Sequence, residues 1–505
     1  MGLRTLAVGL GFTSATLWSE ICLAGGTLGP NGSPIQTSSY AIDLYQGPIF
    51  AGSRVTALGG AYVAISEDVD GNLQNPATPA VRPFFSYTYF DYWLGFGLTF
   101  PGALEGSDFF NSGDKTTLAN APDSFVFFTP SLNLQFGELG VGFSLEMSRY
   151  SLSSQVLEGR KTAAITATIP IAHLQFAHGL DHNQWVFGVG ARFASLWVDS
   201  EIQDESFSSS GNGLELGMVY KPQDLPLRVG ASVRSGIRTE VEFNDDFLPD
   251  ENGDLVLEDS AGDTFYMPRS VALPWDVNFG FALQFGRPFN PAWRTDDELV
   301  EREILLRRLR ELDRNERRNK ELAAARTQQE RDDIERKYEA EVAEDDARLL
   351  KAYKASRDVT EDNLSLLNRH YIQIAASMLV SGSVEDAVGV ESFVSQTVNR
   401  SGQRPVYSPR LGVEFAALPE LLKFRGGSYI EPTRFDSSTA RIHGTFGLDL
   451  RLAIWNVFGL WPDDYVWRLG LGADISRRYS TWGLTVAGWY PRRRSPSTTK
   501  SSATQ

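Results

Sequence analysis

The chain has 505 residues, 12% of them aromatic, with 46 glycines, a single cysteine and a formal net charge of −16. That acidic balance leaves no broad basic face for nucleic acid, and one cysteine excludes an internal disulfide or a cysteine-ligated metal centre. Past the N-terminus no run of about 18 apolar residues occurs, which excludes an apolar membrane helix but leaves strands free to span a bilayer.

In chain order, residues 1–24 read as a signal peptide. Arg4 precedes an apolar stretch from Leu6 to Trp18, small residues follow around Ala24, and cleavage is expected between Ala24 and Gly25. Cys22 lies inside the removable part. Residues 25–83 contain a Gly-rich, non-repeating stretch, Ala51-Gly52-Ser53-Arg54-Val55-Thr56-Ala57-Leu58-Gly59-Gly60-Ala61, then Asp68, Asp70 and Asn75-Pro76-Ala77. This is too small and broken for a membrane strand. A compact segment ahead of a wide barrel either fills the lumen as a hatch or is a plain periplasmic lead-in.

From residue 84 onward, apolar residues alternate with polar or small ones, the period of a half-buried strand. Leu139, Val141, Phe143, Leu145 and Met147 oppose Gly140, Gly142, Ser144, Glu146 and Ser148. Fourteen such segments are predicted, near 84–100, 124–136, 139–149, 161–178, 185–198, 213–221, 226–240, 275–286, 369–381, 409–417, 421–430, 440–453, 465–475 and 480–490. Short and long connections alternate between them, so short turns share one end, the periplasmic one, and long loops the other. The expected fold is therefore an all-β membrane protein, a 14-stranded antiparallel transmembrane β-barrel in two parts, 84–286 and 369–490, with a tail at 491–505. A soluble sandwich or propeller also alternates. Tyr87, Tyr89, Trp93, Trp185, Trp197, Trp467, Trp482, Trp489 and Tyr490 lie near strand ends, where interfacial girdles are expected.

Residues 287–368 break the pattern. Between Pro291 and Gly382 there is neither glycine nor proline, and Arg294–Asp362 holds 17 basic and 21 acidic residues. Leu305, Leu309 and Leu312, then Ile334, Tyr338 and Val342, then Leu349 and Tyr353, recur by threes and fours, which predicts a long helical hairpin or coiled coil turning near Ala323–Gln329. Counted back from the C-terminus, this insert falls among the periplasmic turns. It is either a solvated helix or an arm, 295–362, for a periplasmic or envelope protein.

Strand parity points Glu146, Arg192, Arg228, Arg234, Arg410, Glu414, Arg441, Asp449, Arg451, Arg468 and Asp474 into the lumen. They form an ion-paired network that supports the hatch, or one arginine holds a carboxylate headgroup. Asp250-Glu251-Asn252-Gly253-Asp254 lacks calcium-loop spacing. His173, His178, His182, His370 and His443 are scattered with no Ser/His/acid set, so neither a catalytic centre, a cofactor nor a metal site is expected.

The Arg54, Leu58-Gly59-Gly60-Ala61, acidic stretch and Asn75-Pro76-Ala77 pattern resembles the N-terminal hatch of FadL-type long-chain fatty acid transporters and their PorV-like relatives. Pro268-Arg269-Ser270-Val271, Pro409-Arg410-Leu411-Gly412-Val413-Glu414 and Phe424-Arg425-Gly426-Gly427 look alike too. The resemblance implies a Gram-negative outer-membrane barrel amid outer-membrane lipid and lipopolysaccharide. It also implies a hatch whose structural and gating residues are Arg54, Gly59, Gly60, Asn75, Pro76 and Ala77, and a hydrophobic ligand that leaves sideways through the wall. The helical insert departs from the transporter pattern, which raises the scaffold or secretion-adaptor alternative.

Overall fold

Alternation decides which way each strand faces. The structure, a computed structural model, describes residues 28–489 apart from 46, 84–85, 87–88, 103–106, 114–124, 154–163, 201–206, 224, 242–248, 250, 259–263, 291–296, 367–369, 420, 437 and 460–464. The expected signal peptide, the tail, Tyr87 and Tyr490 lie outside the described residues. Fourteen strands close into one antiparallel barrel: β1 (Phe90–Pro101), β2 (Val126–Phe136), β3 (Leu139–Ser153), β4 (Ala164–Leu180), β5 (Trp185–Ser200), β6 (Phe207–Tyr220), β7 (Leu227–Arg234), β8 (Asp276–Phe285), β9 (Ile372–Ser381), β10 (Val406–Leu418), β11 (Leu422–Glu431), β12 (Arg441–Ile454), β13 (Val466–Ser476) and β14 (Tyr479–Gly488). β14 pairs with β1 and seals the ring, so no strand edge is left with unpaired backbone for lipid to meet.

Along β5 the outward residues Phe187, Val189, Phe193 and Trp197 are exposed, while Val186, Arg192, Ala194 and Leu196 are buried inside. The same reading around the ring gives an apolar outer face, with Leu214, Phe279, Phe281, Leu411 and Phe446 exposed. Such a face suits hydrocarbon. Among the girdle tryptophans, Trp185, Trp197 and Trp482 are exposed as expected, but Trp93, Trp467 and Trp489 are not. Trp93 sits on the inward parity of β1, Trp489 lies 4.7 Å beneath the Lys423 ammonium, and Trp467 donates its indole N–H to the Trp455 carbonyl at 2.8 Å beside a register shift in β12.

One predicted strand is really two. Within 226–240 the wall ends at Arg234, and Ile237–Glu240 turns inward to pair with Ser270–Leu273. That strand runs parallel to Ala41–Asp43, which also pairs with Ala387–Val388. The resulting mixed sheet stands over the long-loop end of the barrel. From it, residues 51–83 descend through the lumen to the other end, where the Arg82 Nε donates to the Gly137 carbonyl at 2.7 Å beside the turn into β3.

The insert is a helical hairpin. α1 is the short helix Ser53–Ala57 of the lumen segment; α2 (Asp297–Ala324) and α3 (Gln328–Leu366) form the arms, about 42 and 58 Å long at 1.5 Å per residue. A capping box starts α3: the Thr327 hydroxyl accepts the Glu330 amide at 3.2 Å, and the Glu330 carboxylate accepts the Arg326 and Thr327 amides at 2.7 and 3.1 Å. The expected leucine seam is overturned. Arg310 and Arg314 both reach Asp345 at 2.6 Å, Arg318 reaches Glu335 and Lys337 reaches Glu321, with Tyr338 and Val300 buried between the arms. Burial would raise the Asp345 carboxyl, but Arg314 and Arg310 hold it below the ordinary aspartate value. Leu305, Leu309 and Leu312 are instead 56–70% exposed, half a helical turn from the Arg307–Arg310–Arg314 face. Threes-and-fours spacing marks a stripe, and here charges rather than leucines occupy the inner one.

Candidate functional site: the hatch and its wall

Within residues 51–83 every side chain that the structure describes is buried. α1 ends at Leu58, and two glycines in the left-handed region, Gly59 at φ 59° and Gly60 at φ 72°, reverse the chain. Their amides return to the carbonyls of Thr56 and Val55 at 3.0 and 2.9 Å, a glycine-terminated helix end. A Cβ on Gly59 would also fall 2.9 Å from the backbone of Ser428 in the wall. This accounts for Leu-Gly-Gly-Ala by geometry.

Asn75, with no exposure, holds the next turn. Its Nδ2 donates to the carbonyls of Val63 at 2.9 Å and Met218 at 3.0 Å, and its Oδ1 accepts the Ala77 amide at 3.0 Å. Pro76 lies against Gly188 and Gly217 of β5 and β6, and Ala77 packs with Ala80, Val81, Ala177, Val186 and Val219. The wall makes room with inward glycines: a Cβ at Gly140, Gly188, Gly230 or Gly412 would fall 2.2–2.5 Å from hatch backbone. Close backbone approach is why those inward positions carry no side chain.

Charges tie this segment to the wall. Arg54, 2% exposed, donates Nε and Nη2 to the two oxygens of Glu414 at 3.0 and 3.1 Å, and Nη1 to Asp68 at 3.2 Å. Glu414 also pairs with Arg425, which reaches Asp449 at 2.7 Å; Arg468 reaches the same carboxylate at 2.9 Å and pairs with Asp70, back on the hatch. The network thus leaves the hatch at Arg54, crosses β10 to β13 and returns at Asp70. In low dielectric, losing one partner of such a set costs about 3–5 kcal/mol, because the other charge is stranded.

The remaining lumen candidates separate. Arg192 and Arg234 share Asp276 at 3.4 and 3.3 Å, and Glu146 accepts His173, whose other nitrogen faces Glu215, both at 3.0 Å. Arg441 binds Glu431 and the Asp108 and Phe109 carbonyls; His443 bridges Glu431 and Asp474 at 2.6 and 2.7 Å. Arg410 is half-buried, 3.5 Å from the Gly60 carbonyl, and Arg451 is half-buried at the short-turn end of β12. Sequence reasoning overlooked Glu67, Tyr371, Lys423 and the clamped histidines. Arg425 and Lys423 were within reach, because Phe424 points out and its neighbours therefore point in.

Two features of the wall stand apart. Pairing of β2 with β3 passes from Phe128–Met147 directly to Ser131–Ser144, and that of β4 with β5 from Thr168–Trp197 to Ile171–Ala194. Each gap holds a proline, Pro130 or Pro170, which has no N–H to give. Behind the Pro170 gap the lumen is apolar: Ile169, Leu196 and Val198 join Phe50, Phe109, Phe125 and Phe127 in one cluster, whereas Thr129 and Ser131 face inward on either side of Pro130. Beside Pro130, a small recess of about 10 Å³ lies between hatch and wall, lined by Gly52, Val69, Asp70, Leu73, Gly95, Gly97, Thr129 and Ser131.

The fold defines the class, a fourteen-stranded transmembrane β-barrel, here with residues 51–83 packed in its lumen. No protein-family model and no curated protein matches the chain. Solved structures do. The toluene transporter TodX of P. putida is 11% identical with a TM-score of 0.44, covering 91% of this chain and 100% of that one. The CymD monoaromatic hydrocarbon channel is 10% identical at 0.46, covering 88% and 97%. CdiB from Acinetobacter baumannii is 8% identical at 0.33, covering 79% and 60%. These values describe a likeness in outline, and no residue role follows from them.

Proposed function

We propose that the chain is an outer-membrane channel for hydrophobic small molecules, long-chain fatty acids among them, which leave sideways through the wall past the hatch. The observation that carries this reading is the apolar lining of β4 and β5 directly behind the Pro170 interruption, which continues to Phe127 of β2. Below that lining the hatch and its ion pairs occupy the lumen, so an apolar solute meets compatible surface and a weakened ladder rather than an axial water path. Missing ladder bonds in hydrocarbon are costly, and their placement beside the greasy half of the lumen favours a role. Mass spectrometry of purified protein tests it: parent protein should retain a lipid-like ligand that Phe127→Asp loses while staying folded. Consistently empty parent protein would overturn the reading.

A second reading, a PorV-like scaffold or secretion adaptor, is favoured by the Leu305–Leu309–Leu312 stripe facing away from α3. The hairpin springs from the end that carries the turns at 137–138, 181–184 and 221–226, the periplasmic end by the usual rule. Deleting residues 296–360 should then leave a folded barrel that loses a copurifying envelope protein. Unchanged copurification would sink it.

A further inference from the structure

The insert leaves and rejoins the barrel through two stems, Arg287–Asn290 after β8 and His370–Tyr371 before β9, and both end on wall side chains that also hold the hatch. Arg228 of β7, 1% exposed, donates Nε to the Asn290 side-chain oxygen at 2.7 Å and Nη2 to the Phe289 carbonyl at 2.9 Å. Its Nη1 donates to the hatch, to the Ile65 carbonyl and the Glu67 carboxylate, both at 2.9 Å. The guanidinium also lies 4.0 Å over the Phe289 ring. On the second stem, the Tyr371 hydroxyl donates to Glu414, the carboxylate that grips Arg54 of the hatch. Arg287, 4.2 Å over the Tyr371 ring, ties the stems to each other.

Chain connectivity does not require this. A helical insert at a turn needs only to be tolerated there, and solvated stems would suffice. Here each stem instead gives buried polar groups to an anchor the hatch uses too. The hatch loop so held is strained: Ser66 and Asp68 take φ values of 44° and 57°, left-handed conformations that non-glycine residues keep only when their surroundings insist.

We propose that the hairpin and the hatch are one coupled unit, in which displacing the stems releases Arg228 and Glu414 and lets the loop 65–70 rearrange. A displacement of either stem then reaches the hatch through two side chains. The inference is independent of the cargo.

The test uses full-length protein carrying Cys22→Ser and the probe Ser66→Cys, whose side chain is fully buried, and follows its rate of reaction with a maleimide. Tyr371→Phe removes one buried hydrogen bond to a charged group, and Asn290→Ala removes the acceptor of Arg228 together with the donor to the Pro222, Leu225 and Leu227 carbonyls; each should speed labelling by at least about tenfold, the effect of about 1.4 kcal/mol on the open population. The double variant should exceed either. A second probe, Ser408→Cys, buried on the inner face of β10 near the long-loop end, should label at the parent rate throughout. Parent-rate labelling of Ser66→Cys in the double variant overturns the proposal, and so does parallel acceleration of Ser408→Cys, which would mean the whole barrel has loosened. No ligand enters the experiment, so an empty channel would leave its outcome intact.

Discussion

Adding one methyl group to the wall opposite Asn75-Pro76-Ala77 should dislodge the hatch. In Gly188→Ala the new Cβ would lie 2.2 Å from the Pro76 carbonyl oxygen, 2.3 Å from its carbon and 2.5 Å from the Ala77 nitrogen. Ordinary contact begins near 3.4 Å, so a gap of about 1.2 Å must open, and the obstructing atoms are backbone with no rotamer to change. Overpacking of this kind costs about 1–3 kcal/mol. The wall yields less readily than the hatch, because Gly188 is paired on both sides, to Ala177 and Gly217, whereas the hatch turn is held to the wall by single side-chain hydrogen bonds from Asn75, Gln135, Asn183 and Ser232. The strain should therefore raise the open fraction of residues 63–80 by about 5-fold to 150-fold. Hydrogen exchange read by mass spectrometry would show faster exchange across 63–80 and unchanged exchange in β4 to β6. Gly444→Ala is the control, since a Cβ there meets nothing within 4 Å. Parent-like exchange of 63–80 in Gly188→Ala would refute the reasoning, as would loosening confined to the wall.

Asn75→Ala should expose the same segment by cutting its bond to the Met218 carbonyl of the wall and leaving the Ala77 amide without its acceptor, at about 1–3 kcal/mol, again seen in exchange of 63–80. Arg54→Ala takes the guanidinium from Asp68 and leaves Glu414 with Arg425 and Tyr371, and should lower unfolding stability by up to about 3–5 kcal/mol, read as a shifted urea midpoint. Arg54→Lys should recover only part of it, because an ammonium cannot bridge both Glu414 oxygens; full recovery would contradict the two-point grip. The hairpin seam should fail only in acid. Asp345 is held below its ordinary value of 3.8, so its stabilisation is complete above about pH 4 and disappears as pH falls toward the lowered value. Helical circular dichroism at 222 nm should stay level from pH 7 to about 4 and then drop, and Asp345→Asn should flatten part of that drop; superimposable curves would show that the pair does not stabilise the seam. Coupling is reciprocal, so Glu67→Gln in the hatch should speed hydrogen exchange at residues 286–290 of the first stem, and no change there would argue for independent parts.

The barrel was legible because lipid outside and a filled lumen inside impose opposite chemistries on successive residues, and a period of two records this in the chain itself. Strand number, the inward charges and the hairpin turn all follow from local pattern. Trp93 shows the limit: a strand-end tryptophan suits the girdle or the lumen equally, and only its parity in the folded sheet decides. Leu305, Leu309 and Leu312 show another, because threes-and-fours spacing marks a stripe without saying what covers it, and long-range pairs such as Arg310–Asp345 have no signature in spacing. Arg54, Gly59-Gly60 and Asn75-Pro76-Ala77 stood out as a motif, yet their partners Glu414, Ser428 and Met218 come from distant strands that closure alone brings near. The insert was equally plain in the chain, a charged block without glycine or proline. That both its stems share anchors with the hatch could be decided only by tertiary structure, since Glu67, Arg228, Asn290, Tyr371 and Glu414 meet where five separate parts of the chain converge in one buried, water-excluding layer.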